Sequence, residues 1–503
     1  MFVRKKKNKS GVISVQIIDK STGKYKVIKT IGSSSDPNMV EHFIKEGAVW
    51  IENKIGQKEI DFSCERNFTE SVLDNIEQIT VAGTSLLLGR IFDEIGFNAV
   101  DDDLFKQLVI ARICFPASKL KTTELLSKYH FISVEVHHIY RYLDKLHNSQ
   151  KELVQDISYA HSLKILNNEI SVVFYDVTTL YFEVDNEDEI RKTGFSKEGK
   201  HQNPQILLGL LVSVDGYPLA YEIFEGNKYE GHTMLPVINR FKKRYDIDKL
   251  IVVADSGLLT NTNILELCSN GFEFILGARI KNENTAVKNQ ILDFDYTDSV
   301  EQLIIKEDGI RLLVTYSEKR AKKDKHNREK GLAKLEKKII SKKLTKSNIN
   351  NRGYNKYLKM EGEINLTIDM EKFDSDSRWD GLKGYLTNTK MPNKEIMENY
   401  AHLWKIEKAF RISKHDLKIR PIYHRIQRRI EAHICISFVA YKIYKELERQ
   451  LKLKGSMLSP EKAVDIAKTI YAIQVKTPNQ QHTISKTIFI TEEQKKLAEL
   501  FNF

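Results

Sequence analysis

Cysteine is scarce in this chain. Four residues, Cys64, Cys114, Cys268 and Cys435, are spread over 503 positions with no CxxC pair, so neither a zinc site nor a disulfide framework is expected. A reducing compartment suits such a chain. Long apolar runs are also missing: ILLGLLVSV at 206–214 and ICISFVAY at 434–441 fall well short of the roughly 18 residues that span a bilayer. The basic start MFVRKKKNKS is followed by an apolar stretch that stops at Asp19 without a small-residue cleavage site, so no signal peptide is expected. No internal repeat is visible. What remains is a soluble, cytoplasmic protein without a membrane partner.

The composition supports folding. With 41% hydrophobic and 29% charged residues the chain is not a disordered polyelectrolyte, and 503 residues suggest several domains. The formal charge is +11, a sign that suits polyanionic partners. That charge is concentrated. Residues 4–9, 318–343 and 405–431 carry +5, +8 and +6, which leaves the rest of the chain at −8.

Periodicity divides the chain. Residues 1–60 read as a small β-hairpin, ISVQIID and YKVIKTIG around STGK, followed by a helix that starts near Pro37. Residues 61–165 show helical spacing throughout and are expected to form an all-helical DNA-binding domain. Within it, Lys119 to Tyr129 and Val134 to Leu146 could form a helix-turn-helix whose second helix carries His137, His138, Arg141 and Lys145. Residues 166–279 and 381–450 read as a mixed α/β core, in the order strand, hairpin at Asp215-Gly216, helix, strand, helix, strand. A lysine-rich, β-containing insertion is expected at 280–380, and a C-terminal helical tail at 451–503.

Three acids stand out within the core. ISVVFYD and KLIVVAD are buried-strand runs that end on Asp176 and Asp255, and ligand sites of open α/β sheets gather at such strand ends. Either aspartate alone would serve equally well as a helix cap. Together, two neighbouring carboxylates repel unless a cation holds both ionised, and an oxygen-only donor set points to Mg²⁺ or Mn²⁺. Glu407 lies on an expected helix from Lys394 to about Leu417, whose apolar residues Leu403, Ile406 and Phe410 could face the sheet. Tyr400 and Lys414 flank it two helical turns away on either side, on the same face.

The combination of FYDVTTLYFE, VVADSGLLT, a long interruption and YAHLWKIEKAFRISK resembles the DDE transposases of bacterial insertion sequences. The last run is similar to the Tyr-x2-Arg-x3-Glu-x6-Lys signature of their hairpin-forming, cut-and-paste branch. Tyr400, Glu407 and Lys414 match it, whereas Leu403 stands where that family commonly carries Arg, so the phosphate contact of that Arg is not carried over. The resemblance covers about residues 170–440. It implies an RNase H-like core interrupted by an insertion, with two metal ions held by catalytic Asp176, Asp255 and Glu407. It implies cleavage at terminal inverted repeats and joining to target DNA, by a homodimer in the DNA complex, in the nucleoid-associated cytoplasm of a bacterium. Tyr400 and Lys414 would contact phosphate, Trp404 would stack on a displaced base or else pack in the core, and Arg411, Arg420, Arg425, Arg428 and Arg429 would follow the DNA backbone.

Other readings compete. The chain could be a catalytically silent DNA-binding protein, although the intact triad argues against it, or a stand-alone nuclease of the same chemistry. GFSKEGKH at 194–201 has the Gly-x4-Gly-Lys spacing of a phosphate loop. His201 nevertheless replaces the required Ser or Thr, and Asn203-Pro204 opposes the helix that should follow, so no ATP site is expected. A DNA-facing loop carrying Lys197 fits better.

Overall fold

The structure, a computed structural model, describes residues 1–55, 70, 72–184, 186–196, 199–306, 309–341, 350, 353–361, 365–476 and 483–503. Its contacts divide the chain into two units, residues 1–78 with 473–486 and residues 79–472 with 487–503.

In the smaller unit, β1 (Phe2–Lys7), β2 (Ile13–Asp19) and β3 (Lys26–Ser34) form an antiparallel sheet in that order. The expected hairpin is β2-β3, and the basic N-terminus adds an edge strand that alternation alone did not suggest. Helix α1 (Pro37–Ile55) begins at its proline and packs on this sheet. The Asp36 side chain accepts from the Asn38 N–H at 2.9 Å, and Gly32 leaves room for the Phe43 ring where a Cβ would collide.

The larger unit is built on one eight-stranded sheet. From β5 (Val172–Tyr181) the chain makes a hairpin of β6 (Gln205–Ser213) and β7 (Pro218–Glu225), then α7, β8 (Ile251–Ala254), α8 and β9 (Glu273–Ala278). The helices of this stretch are α7 (Met234–Tyr245) and α8 (Asn261–Ser269). These follow the expected order. The sheet order is β10 (Glu301–Ile305)-β11 (Arg311–Tyr316)-β14 (Leu382–Thr387)-β9-β8-β5-β6-β7, with β5, β8 and β9 parallel and every other pairing antiparallel.

Here the interruption behaves differently from the expectation. Its first strands, β10 (Glu301–Ile305) and β11 (Arg311–Tyr316), do not leave the core; they continue the same sheet, and β14 (Leu382–Thr387) returns between β11 and β9. Outside that sheet, Ser317 caps the basic helix α10 (Glu318–Ile340), and β12 (Leu358–Glu361) pairs only with β13 (Asn365–Ile368) among the described residues.

Strand alternation splits the core into two layers. Val172 and Phe174 face one cluster, and Val173 and Tyr175 the other. The first cluster takes in helices preceding the sheet: α2 (Arg90–Ile95), α3 (Asp103–Cys114), α5 (Val136–Lys145) and the start of α6 (Lys151–Ile165). It also takes in α13 (Trp404–Arg411) and the long helix α14 (Gln427–Leu453). Helix α4 (Lys119–His130) packs beside α3 and α5. The helical stretch thus shares its core with the sheet, and two expectations need correction: the range 61–165 is not all helical, since it contains the strand β4 (Ile76–Val81), and the expected helical tail 451–503 contains the strands β15 (Tyr471–Lys476) and β16 (Thr483–Ile488). On α5, Ile139, Tyr142 and Leu143 are buried, while His137, His138 and Arg141 are exposed and Lys145 pairs with Asp102. Among the described residues no helix is long and apolar enough to cross a membrane.

Candidate active site

Strand β5 is buried along its whole length except at Asp176 and its terminal Tyr181. The sequence run stops at Asp176, but the strand continues five residues beyond it. What ends is its neighbour. The parallel pairing of β5 with β8 closes at Tyr175 with Ala254, and the chain after β8 turns away into a short helical turn capped by Asp255. Asp176 and Asp255 are therefore the next residues on two adjacent parallel strands, at the carboxyl edge that the sequence pattern indicated. Each carboxylate accepts from the backbone N–H that follows it, Val177 and Ser256, both at 2.7 Å. The capping role of Asp255 is real, and it coexists with its place in the site.

Glu407 arrives from the other side. Leu403, Ile406 and Phe410 are all buried in the layer that contains Val172 and Phe174, so α13 lies on β5 and leaves Glu407 exposed at its edge. Asp176, Asp255 and Glu407 line a single cleft of about 400 Å³. Among the described residues no three His, Cys, Asp or Glu side chains are grouped closely enough to hold a metal ion as they stand. The donor set still suits one: the acids are all oxygen donors that open into a common space.

The remaining lining supplies balance and support. Tyr400 is buried, and its hydroxyl donates to Asp255 at 3.3 Å; burial, then the neighbouring carboxylate, pushes the phenol upward. Tyr385 meets its ring edge-on, with centroids 4.9 Å apart. A Cβ at Gly277 would overlap the Tyr400 hydroxyl, so the bare backbone of β9 is what lets this contact form. Lys383 on β14 places its ammonium 4.3 Å from the Tyr400 ring centroid. Burial and then Arg320 lower its pKa, while Asp255 and Glu407 act in the opposite sense. Arg320, from the first turn of α10, lines the same cleft. Three acids therefore face two cations.

Neither Arg320 nor Lys383 was among the sequence candidates. Arg320 is one of many basic residues in its segment, and its approach depends on β11 and β14 carrying the interruption back to the sheet. Trp404 also lines the cleft and is 53% exposed, which removes simple core packing as its explanation.

Other candidates lie elsewhere. The expected single helix is broken, with α12 (Asn393–Ala401) ending before α13 begins, and residues 412–416 form a π-helical turn. That wider turn changes the phase on which the two-turn argument relied, and Lys414 is not among the residues lining the cleft. Arg411 is exposed outside it. Arg428 and Arg429 both bind Asp144 of α5, at 2.8 and 2.9 Å, and Arg429 also lies over the Tyr140 ring. Arg425 is exposed, and Arg420 is half-buried over Tyr181. Lys197 lies outside the described residues.

The mixed sheet and the helix packed on it thus bring three acids into one cleft. Residues 167–443, a span that includes all three acids, match the transposase DDE domain, and the chain belongs to that family. It is a DDE transposase, an enzyme of metal-dependent DNA cleavage and strand transfer. Two solved structures are similar over part of their length. One, described as a piggyBac transposase synaptic complex with hairpin DNA, shares 8% identity over 76% of each chain with a TM-score of 0.38. The other, described as a Mos1 transposase paired-end complex with left transposon end, shares 11% identity over 40% of this chain and 60% of that chain, with a TM-score of 0.16. No curated protein matches the chain.

Proposed function

We propose that Asp176, Asp255 and Glu407 are the catalytic acids of an RNase H-like core that cuts the terminal inverted repeats of its own insertion sequence and joins them to target DNA. The observation that carries this reading is the convergence of the three acids in one cleft. They would hold two divalent ions, Mg²⁺ or Mn²⁺. When bound, such ions activate the attacking hydroxyl and stabilise the leaving oxygen of an in-line displacement.

The protein's own groups set up this chemistry. Tyr400 fixes one oxygen of Asp255, and Gly277 gives it the room to do so. Arg320 and Lys383 attract the phosphate on which charge develops, and Arg320 takes the part left open by Leu403. Trp404, aromatic and exposed beside Glu407, stacks on a base displaced from the duplex. The signature around Tyr400, Glu407 and Lys414 supports a hairpin intermediate, in which the freed 3′-hydroxyl attacks the opposite strand. Lys197, Arg411, Lys414, Arg420 and Arg425 track the DNA backbone, and two copies pair the two ends.

Incubating the purified chain with Mg²⁺ and duplexes of the inverted repeats that flank its gene tests the reading. Nicked ends, hairpin ends and joined products on a denaturing gel are expected. Products unchanged by Asp176→Asn or Glu407→Gln would refute the site. Open ends without hairpins would refute only the hairpin step.

A further inference from the structure

The most unusual electrostatics of the larger unit lie outside the carboxylate cleft. A cavity of about 180 Å³ opens between the end of α3, the start of α4 and the segment that precedes α14. Arg112 and Lys119 line it, 5% and 4% exposed. Burial lowers the pKa of both, for Lys119 with further help from Arg112, and no acid contributes to either shift. No carboxylate lines the cavity among the described residues.

Two adjacent buried cations without a counter-ion are costly. The contacts that exist do not remove this cost. The terminal nitrogens of Arg112 reach the Lys418 and Ala117 carbonyls at 3.3 Å and the His433 Nδ1 at 3.5 Å, all uncharged partners, and its Nε has no hydrogen-bond partner. Both imidazoles at the cavity, His424 and His433, are driven toward their neutral form, first by burial and then by these same cations. Lys119 is moreover the first residue of α4. The cap Ser118 takes the Lys121 N–H, and the Lys119 and Leu120 N–H groups, on residues that line the cavity, have no intrahelical acceptor by position. Guanidinium, ammonium and a helix N-terminus converge on one small space, and all three favour a multiply charged oxyanion.

We propose that this cavity is a binding site for a phosphoryl group, held by Arg112, Lys119 and the N-terminus of α4. A DNA backbone phosphate and free inorganic phosphate share this chemistry. The proposal does not depend on the roles assigned to the three acids.

The test uses the full chain with inorganic phosphate as probe, exchanged for chloride at constant ionic strength. Phosphate is expected to raise the melting temperature and to broaden in ³¹P spectra. Lys119→Met is expected to melt no lower than the wild type without phosphate, because it removes an unpaired buried charge, and to weaken phosphate binding by about tenfold or more. Lys119→Arg should keep the response, and Arg112→Met serves as a second variant should Lys119→Met not fold. No phosphate response in the wild type, or an undiminished one in the Met variants, overturns the proposal. Adding a short duplex of unrelated sequence separates the sources. Displacement of phosphate identifies a backbone site, and simultaneous binding identifies a site for the free ion.

Discussion

The acid-lined cleft and the cation-lined cavity belong to the same unit and are electrostatic opposites. In the cleft, acids outnumber cations and Glu407 and Asp255 are exposed, so water carries most of their charge until other cations arrive. In the cavity, Arg112 and Lys119 are withdrawn from water, and no carboxylate faces them among the described residues. The comparison teaches that exposure decides the cost of a like-charge cluster. An open cluster can wait for its ligand cheaply, whereas a buried one keeps its charges at the expense of stability.

The sharpest way to break this contrast is to neutralise the cleft. Asp176→Asn or Glu407→Gln should lower strand cleavage by at least ~10³-fold, the scale on which single catalytic groups act, with little change in melting temperature. A rate loss accompanied by unfolding would mean that these acids are structural.

Support of the cleft comes next. Tyr400→Phe should cost about 10–100-fold in metal affinity or activity, as expected for a group that orients a ligand. Gly277→Ala should reproduce that loss by displacing the same hydroxyl and should also destabilise the chain by about 1–3 kcal/mol through overpacking. A Gly277→Ala protein with a normal titration of activity against Mn²⁺ would show that the contact is dispensable.

Arg320→Ala is expected to weaken DNA binding and to lower the slope of log affinity against log salt by about 1. An unchanged slope would place Arg320 outside the phosphate path.

The smallest effect concerns the ion pair that ties α5 to α14. Arg429, by hydrogen bonding, and then Arg428 hold the Asp144 carboxyl at about 2, below the ordinary aspartate value of 3.8. Its folded pKa is depressed, so its stabilisation is complete above about pH 4 and disappears as the pH falls toward 2. Asp144→Asn should therefore lower stability at pH 7 by about 1–2 kcal/mol, discounted for partial exposure, and the difference should vanish in acid. Denaturant unfolding at the two pH values measures it. An equal difference at both would assign the loss to packing.

Much of the cleft was legible because local patterns carried it. FYD and VAD each couple a buried strand run to an acid, and the apolar spacing of Leu403, Ile406 and Phe410 sets the face of α13 and thus the side from which Glu407 projects. The errors arose where local pattern meets tertiary context. Lys414 falls on the face of Glu407 only if the α-helical phase continues, and the π-helical turn that contains it interrupts that phase. Arg428 and Arg429 read as free basic residues because Asp144 is almost 300 positions away in sequence. Strands β10 and β11 read as part of an insertion, since nothing in a strand's own alternation says which sheet will accept it.

By itself, then, the sequence determined the order of strands and helices from β5 to β9, the three acids that meet in the cleft and the family to which the chain belongs. Those features depend on backbone preferences and side-chain periodicities that act over a few residues. Only the tertiary structure decided that Arg320 and Lys383 join those acids, that Gly277 makes room for Tyr400, and that Arg112 and Lys119 share a cavity with no carboxylate lining it among the described residues. The reason is physical: the energy of a charge depends on what surrounds it in space and on its access to water, and neither is a property of its neighbours along the chain.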